Sequence, residues 1–399
     1  MGQKIVYVVT VHKKAVLNQR IRKLLMLREY FTRMVLVCGG DETVYDDDVW
    51  EIRHAINPTG VLRKLGLEPL KGTIDNWLYF PSPQVLFVKA VQRALSRAIR
   101  RQLSEGAEVT VVTCVPNHAL GLLGLALKKE FPNLRWVMDW QDLWSHDPYY
   151  MMRIPLLYRG RLLRTERQIL ESCDMNVTTN PYAAEVLERQ YEVPSERVTS
   201  IYHPFGDDED ANANEPVRRC TAGNRVRIAF LGSLFKPPKV PGDKVLDALR
   251  YVRQKGVDIE LELFGNAPQG YEEKLAAAGV SQHGFIEGKE IILRLRRSDF
   301  QLLVLEDLPS CRIIMHAKLP QYLLAGKPII AIAPRPSAVA DIVQETGSGY
   351  VIPAQQDWGV ELHRLLADYL AGTELPERNE KAVQQFNWNN LAPRWLEIL

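Results

Sequence analysis

Two doubly wound α/β domains, each a parallel sheet covered by helices on both faces, are the fold class that three features of the sequence predict. The 399 residues exceed what one hydrophobic core ordinarily serves. In both halves, short runs rich in Val and Ile alternate with longer segments of helical period, the pattern of strands buried on both faces between crossover helices. Between the halves lies GDDEDANANEPVRRCTAGN, residues 206–224, whose one large apolar residue is Val217. Such a stretch cannot contribute to a core and reads as a linker or long surface loop.

Taken in order, the first half is expected to place strands at Ile5 to Val11, Met34 to Cys38, Glu108 to Thr113, Trp136 to Asp139 and Met175 to Thr178, with helices between them. After the linker the alternation restarts with RVRIAFLG, ELELFG, FQLLVLE, KPIIAIAP and GYVIP. The closing FNWNNLAPRWLEIL sets Trp388, Leu391, Trp395 and Leu399 at helical spacing on one apolar stripe, so a terminal helix must dock. The expected organisation is therefore a first domain over 1–205, the linker 206–224, a second domain over 225–385, and a helix over 386–399 packing back on the first domain. Ligands of such sheets bind at the carboxyl ends of the strands, which points to an active site between the domains.

Composition narrows the function. No stretch approaches the roughly 18 uninterrupted apolar residues of a membrane span, and the opening KIVYVVTV lacks the flanks of a signal peptide. The cysteines, Cys38, Cys114, Cys173, Cys220 and Cys311, are scattered and odd in number, so neither a disulfide framework nor a zinc site is expected and a cytoplasmic location fits. Residues 1–205 carry a basic excess and residues 206–399 an acidic one. Lys89, Arg93, Arg97 and Arg101 recur every fourth residue and form one cationic helix face, either a solvated face or a contact with the cytoplasmic surface of a membrane. A second basic cluster is Arg153, Arg159, Arg161, Arg164 and Arg167. No aromatic-basic motif accompanies these, so nucleic acid is not expected. No G-x-G-x-x-G follows the first strand, and no P-loop, G-x-S-x-G or H-E-x-x-H occurs, which sets aside dehydrogenases, kinases, serine hydrolases and zinc proteases. Asp46, Asp47 and Asp48 read as a solvated acidic turn rather than a metal site.

The strongest local signal is AKLPQYLLAGKPIIAIAP, residues 317–334. A helix beginning near His316 to Lys318 would aim free N–H groups at an anion, with Lys318 adding charge. Gly326 would cap that helix in the left-handed conformation and Pro328 would forbid its continuation. In FLGSLFKPPK, residues 230–239, Gly232 and Ser233 admit close approach of a phosphate, and Lys236 and Lys239 supply counter-charge; a surface lysine pair is the alternative.

Residues 317–331 resemble the donor-binding stretch of retaining GT-B glycosyltransferases, family 4 in particular, and the resemblance extends in order to LELFGNAP at 261–268, to 280–306 and to 112–144. It implies two Rossmann-like domains of the GT-B fold and a donor nucleotide, UDP- or GDP-linked, held by the second domain at Gly232, Ser233, Gly265, Phe285, Ile286, His316, Ala317, Leu319 and Gln321. No metal or other cofactor is implied. The family's ribose-binding glutamate falls at Gln321, and its companion at Ile313. The D-x-x-D-x-W ending matches Asp139, Asp142 and Trp144, of which Asp142 and Trp144 are expected on the acceptor side. His118 is expected to orient an acceptor hydroxyl or steady the departing group, its alternative being a helix-start histidine bonded to backbone. With Lys236, Lys239 and Lys318 it completes the expected catalytic set. The implied reaction moves a hexose from a nucleotide diphosphate to a hydroxyl of a glycan or lipid-linked saccharide, in bacterial surface-polysaccharide synthesis. A GT-B-like sugar-nucleotide epimerase or hydrolase, and a non-catalytic partner subunit, remain as alternatives.

Overall fold

The structure, a computed structural model, describes residues 2–12, 19–53, 74–75, 77–115, 118–152, 154–205, 225–286 and 289–399. The expected linker at 206–224 and Arg153 lie outside the described residues. The chain divides into two compact units, Met1–Tyr202 with Leu391–Leu399, and His203–Asn390.

The first unit is built on an eight-stranded sheet of β1 (Lys4–His12), β2 (Arg33–Gly40), β3 (Val44–Tyr45), β4 (Val49–Arg53), β5 (Glu108–Val115), β6 (Arg135–Trp140), β7 (Met175–Thr178) and β8 (Val198–Ser200), in the order β3-β4-β2-β1-β5-β6-β7-β8. Every pairing is parallel except β3 with β4. The helices of this unit include α1 (Gln19–Leu25), α2 (Val85–Ser104), α3 (Ala119–Glu130), α4 (Pro148–Met151), α5 (Leu156–Ser172) and α6 (Pro181–Gln190). The five expected strands are present, each extended by no more than two residues at either end. β4 was not anticipated: VWEIR alternates buried and exposed positions and carries two charges, so it lacks the continuous apolar run that marks the central strands.

Side chains of β1, β2 and β5 pack with α2 and α3 into one core containing Tyr7, Val35, Val91, Leu95 and Leu123. Helix α3 comes close to the sheet because Gly124 faces Trp136; a Cβ there would lie 1.9 Å from the indole. The indole N–H donates to Thr113 Oγ1 at 2.9 Å, so the large ring is both packed and satisfied.

A buried ion pair ties this unit together. Arg20 of α1 donates to Asp139 at the end of β6 through Nε (2.9 Å) and Nη2 (2.7 Å), and through Nη1 to the carbonyls of Ile201 (2.6 Å) and Tyr202 (3.0 Å). Its guanidinium carbon lies 5.1 Å from the ring centre of Trp395.

The second unit carries a six-stranded, all-parallel sheet of β9 (Val226–Leu231), β10 (Ile259–Phe264), β11 (Val280–Gln282), β12 (Phe300–Val304), β13 (Ile329–Ala333) and β14 (Gly349–Pro353), in the order β11-β10-β9-β12-β13-β14. Its helices include α7 (Gly242–Gln254), α8 (Glu272–Ala277), α9 (Lys289–Arg297), α10 (Leu319–Ala325), α11 (Ala338–Glu345) and α12 (Trp358–Leu370), followed by α13 (Glu380–Val383) and the terminal α14 (Trp388–Ile398). Phe230, Leu249, Leu261, Leu302, Ile330 and Leu366 belong to its core. The last residues count with the first unit: Arg135 Nε donates to the Ile398 carbonyl at 2.7 Å, and Trp395 is 1% exposed, so the apolar stripe of the closing helix is buried. Among the described residues no helix is long and apolar enough to cross a membrane.

Candidate functional site

In the second unit the strand order reverses at β9, the first strand, whose neighbours β10 and β12 lead to opposite sheet edges. That reversal opens a crevice at the carboxyl ends of the strands. Strands β9 and β12 pair at Ile228–Phe300 and Ala229–Gln301, and higher up a side chain stands between them. Tyr322 of α10 accepts from the Leu231 N–H at 2.9 Å and donates to the Leu302 carbonyl at 3.1 Å. Burial pushes the Tyr322 phenol up from its usual range, keeping it a neutral donor. Sequence reasoning did not single out Tyr322; a buried aromatic on a short helix gives no sign that its hydroxyl replaces a ladder bond.

The carbonyl of the same Leu231 accepts from Lys318 Nζ at 3.0 Å. That ammonium also lies 3.6 Å from the centre of the Phe230 ring, while the residue as a whole keeps some accessible surface. Burial, and after it the charges of Lys236 and Lys239, push the Lys318 ammonium well below the usual lysine range. Burial and then Lys318 and Lys239 likewise push the His316 imidazole well below its ordinary value, and His316 Nε2 lies 3.3 Å from the Val304 carbonyl. The residues singled out from two distant stretches, 232–239 and 316–318, thus meet at one corner. An anion bound among them would relieve their mutual repulsion.

The turn after β9 is shaped for close approach. Gly232 has φ +87°, and its N–H donates to the Phe264 carbonyl at 2.9 Å. A Cβ on Gly265 would fall 2.1 Å from the Gly232 oxygen, so the two strand ends touch backbone to backbone. Ser233 Oγ donates to the Phe235 carbonyl at 3.3 Å. The Lys236 and Val240 backbones pair across the loop, and the Lys239 carbonyl accepts from Glu306 N–H after β12, which draws this loop over the end of that strand. Beyond β11, Phe285 is 71% exposed and Ile286 is half-buried. An exposed ring of this kind leaves its aromatic face open to stacking.

The helix start departs from expectation. Helix α10 has seven residues, and Lys318 is its N-cap without a side-chain cap bond. The Leu319 N–H is taken by the His316 carbonyl at 2.9 Å, and Pro320 has none to give. Leu319, expected among the nucleotide contacts, has a fully buried side chain. Ala317 is exposed and Gln321 half-buried in the first turn. The positive potential here therefore comes from side-chain ammonium groups more than from a helix end. Gly326 does close the helix in the left-handed conformation, φ +75°, with its N–H on the Tyr322 carbonyl. Ile313 lies in a 3₁₀ turn over Pro309–Ile313.

In the first unit, His118 immediately precedes α3 and is 5% exposed. Its ring stacks on Trp144, centroids 5.1 Å apart and planes at 8°, and lies 4.9 Å from Tyr150. Burial pushes the imidazole down to about 4; Asp147 and a hydrogen bond to the Asp142 backbone act the other way. Nε2 is buried without a hydrogen-bond partner among the described residues. The neutral ring thus has one nitrogen committed to backbone and one, the buried Nε2, with its lone pair unengaged among the described residues. Trp144, expected on the acceptor side, is fully buried, and its indole is the platform on which His118 stacks. Asp142 is half-buried. Asp47 and Asp48 pair with Arg33 and Arg28 on the surface, as a solvated turn should. Among the described residues no group of three or more His, Cys, Asp or Glu side chains could hold a metal ion.

No protein-family model matches the sequence, and the search of curated proteins gives no match. Solved structures do match along the whole chain. Sucrose-phosphate synthase from Thermosynechococcus elongatus superposes with a TM-score of 0.66 at 15% identity, covering 99% of this chain and 98% of its own. HepE from Anabaena, solved in complex with UDP and glucose, gives 0.62 at 13% identity over 99% and 98%. The lipopolysaccharide outer core galactosyltransferase WaaB gives 0.62 at 10% identity over 100% of both chains. At these identities the likeness establishes the fold, and that fold is GT-B.

Proposed function

We propose that this chain is a glycosyltransferase that takes its sugar from a nucleoside-diphosphate donor. The observation that carries the reading is the convergence of Lys236, Lys239 and Lys318 on the glycine turn of β9, at the reversal point of the second sheet. A leaving diphosphate develops negative charge as the glycosidic bond breaks, and preorganised ammonium groups stabilise that charge without reorganising. Gly232 admits the phosphates, and Gly265 lets the neighbouring strand end close against the Gly232 backbone. In this reading Phe285 and Ile286 flank the base, and Gln321 serves the ribose as donor and acceptor.

The donor is a UDP- or GDP-sugar; the match to a protein solved with UDP and glucose favours UDP. The acceptor is a hydroxyl of a glycan or lipid-linked saccharide, held on the His118 side, where the uncommitted Nε2 accepts a hydrogen bond from a neighbouring, non-reacting hydroxyl of the acceptor. Retention of configuration, independence of metal, and a place in bacterial surface-polysaccharide synthesis at the cytoplasmic membrane face complete the reading. In retaining transfer the departing phosphate itself takes the acceptor proton.

A second reading rests on the family glutamates being replaced by Ile313 and Gln321: a partner subunit that binds a sugar nucleotide without turning it over. A thermal-shift screen of UDP-, GDP- and dTDP-sugars, followed by a nucleotide-release assay with oligosaccharide acceptors, separates the two. A donor in excess raises stability by RT ln(1 + [L]/Kd). Stabilisation with acceptor-dependent release supports the transferase. Stabilisation without release supports the partner subunit. Release without acceptor points to a hydrolase or epimerase, and no stabilisation by any donor or free nucleotide sinks the proposal.

A further inference from the structure

The first unit displays a patch of exposed large apolar side chains that neither its core nor the proposed chemistry uses. Leu156 and Leu157, at the start of α5, are 76% and 75% exposed, and Met152 just before them is 65% exposed. Trp77 and Leu78 are 51% and 65% exposed. These belong to one surface: Tyr158 of α5 donates to the Trp77 carbonyl at 2.7 Å, their rings lie 5.9 Å apart, and Arg159 donates to the Met151 carbonyl at 3.2 Å. A contiguous apolar patch of this make-up on a water-exposed face marks an interaction surface.

Its charge decides the partner. Arg161 and Arg164 on the same helix are exposed, and Arg161 covers the Phe80 ring at 4.2 Å, so its guanidinium is held beside the leucines. Glu166, the one acid in the first four turns of α5, is buried, accepting from Ser145 N–H and the Tyr191 hydroxyl. The exposed face of that helix start therefore combines leucines and arginines with no carboxylate. Leucine and tryptophan suit the acyl and headgroup boundary, and arginine suits anionic headgroups. The α2 stripe, read from sequence as either a solvated face or a membrane contact, is exposed but purely polar, and its end is neutralised: Arg100 pairs with Glu130 and Arg101 with Glu105.

We propose that the chain docks on an anionic lipid bilayer through Trp77, Leu78, Met152, Leu156 and Leu157, with Arg161 and Arg164 on the headgroups, and not through the α2 stripe. The inference stands independently of the sugar-nucleotide reading, since it needs no donor and no turnover.

Vesicle co-sedimentation of the full chain tests it, using phosphatidylcholine alone and phosphatidylcholine with one third phosphatidylglycerol. Binding is expected only to the anionic vesicles and to weaken as salt rises. Leu156→Ser with Leu157→Ser, and separately Arg161→Gln with Arg164→Gln, should each lower partitioning at least tenfold. Arg93→Gln with Arg97→Gln should lower it less than threefold. All six positions are exposed, and unchanged melting temperatures verify that the variants are folded. Equal binding to neutral vesicles, no binding at all, or loss confined to the Arg93 and Arg97 variant would overturn the proposal. So would a dimer in solution that the leucine variant dissolves, because the patch would then be a protein interface.

Discussion

Arg20 and Asp139, 119 positions apart in sequence, form a forked ion pair of 2.7 Å whose side chains are each 1% exposed. The remaining guanidinium nitrogen holds the carbonyls of Ile201 and Tyr202, and the flat face meets Trp395. One side chain thereby joins α1, the end of β6, the exit from β8 and the terminal helix.

Removing one partner leaves a buried charge without compensation, which costs about 3–5 kcal/mol. Arg20→Met and Asp139→Leu should each lower the unfolding free energy read from urea melts by that order, while the double variant carrying both should cost less than the two singles added. Additive losses in the double-mutant cycle would mean the pair is not coupled.

His118 gives the first unit a pH dependence of known sign. Its folded value, about 4, lies below the ordinary histidine value of 6.5, so the folded state disfavours the proton that the unfolded chain accepts. The stabilising contribution is complete above pH 6.5 and is lost as pH falls toward 4. The loss amounts to about 3 kcal/mol at most, by the relation of 1.36 kcal/mol per pH unit. Denaturant melts between pH 7 and 4 should show this slope in the wild type and a shallower one in His118→Asn. Equal slopes would refute the assignment.

Gly265 is predicted to tolerate no side chain. Its Cβ would meet the Gly232 carbonyl, a backbone atom that cannot swing aside as a side chain can. Gly265→Ala should destabilise by about 1–3 kcal/mol and displace the phosphate turn. Donor KM should rise more than stability alone explains, which steady-state kinetics at a temperature well below the melt will read.

Lys318 couples donor binding to protons. Its pKa is depressed below 10.5 by burial and by Lys236 and Lys239, and a bound diphosphate restores it. Binding therefore takes up protons, and affinity should fall as pH rises through the depressed value toward 10.5, by at most tenfold per unit. Titration calorimetry in buffers of different ionisation enthalpy measures the uptake directly. Lys318→Ala should abolish it, whereas a wild-type affinity that rises with pH would reverse the sign.

How far these relationships were legible varies with their physical origin. Strands such as IIAIA and VRIAFL are buried on both faces and announce themselves as continuous apolar runs. β4 and the three-residue β11 do not, because one alternates with charge and the other is too short for any period. Lys236 and Lys239 stand out through the glycine turn that precedes them, and Lys318 through the helix start it occupies, both local signals. Arg20 was missed because its significance lies in a partner over a hundred residues away, and Tyr322 because its hydroxyl acts on a backbone N–H of another strand. Leu319 and Trp144, which the resemblance puts at ligands, are both fully buried.

The central claim is that Lys236, Lys239 and Lys318 hold a diphosphate, and isothermal titration of UDP into the wild type and the Lys318→Ala variant at pH 7 tests it most directly. Loss of one charge-assisted hydrogen bond, about 1.5–3 kcal/mol, predicts a dissociation constant raised at least tenfold with an unchanged fold. The same affinity for UDP in both proteins would contradict the account.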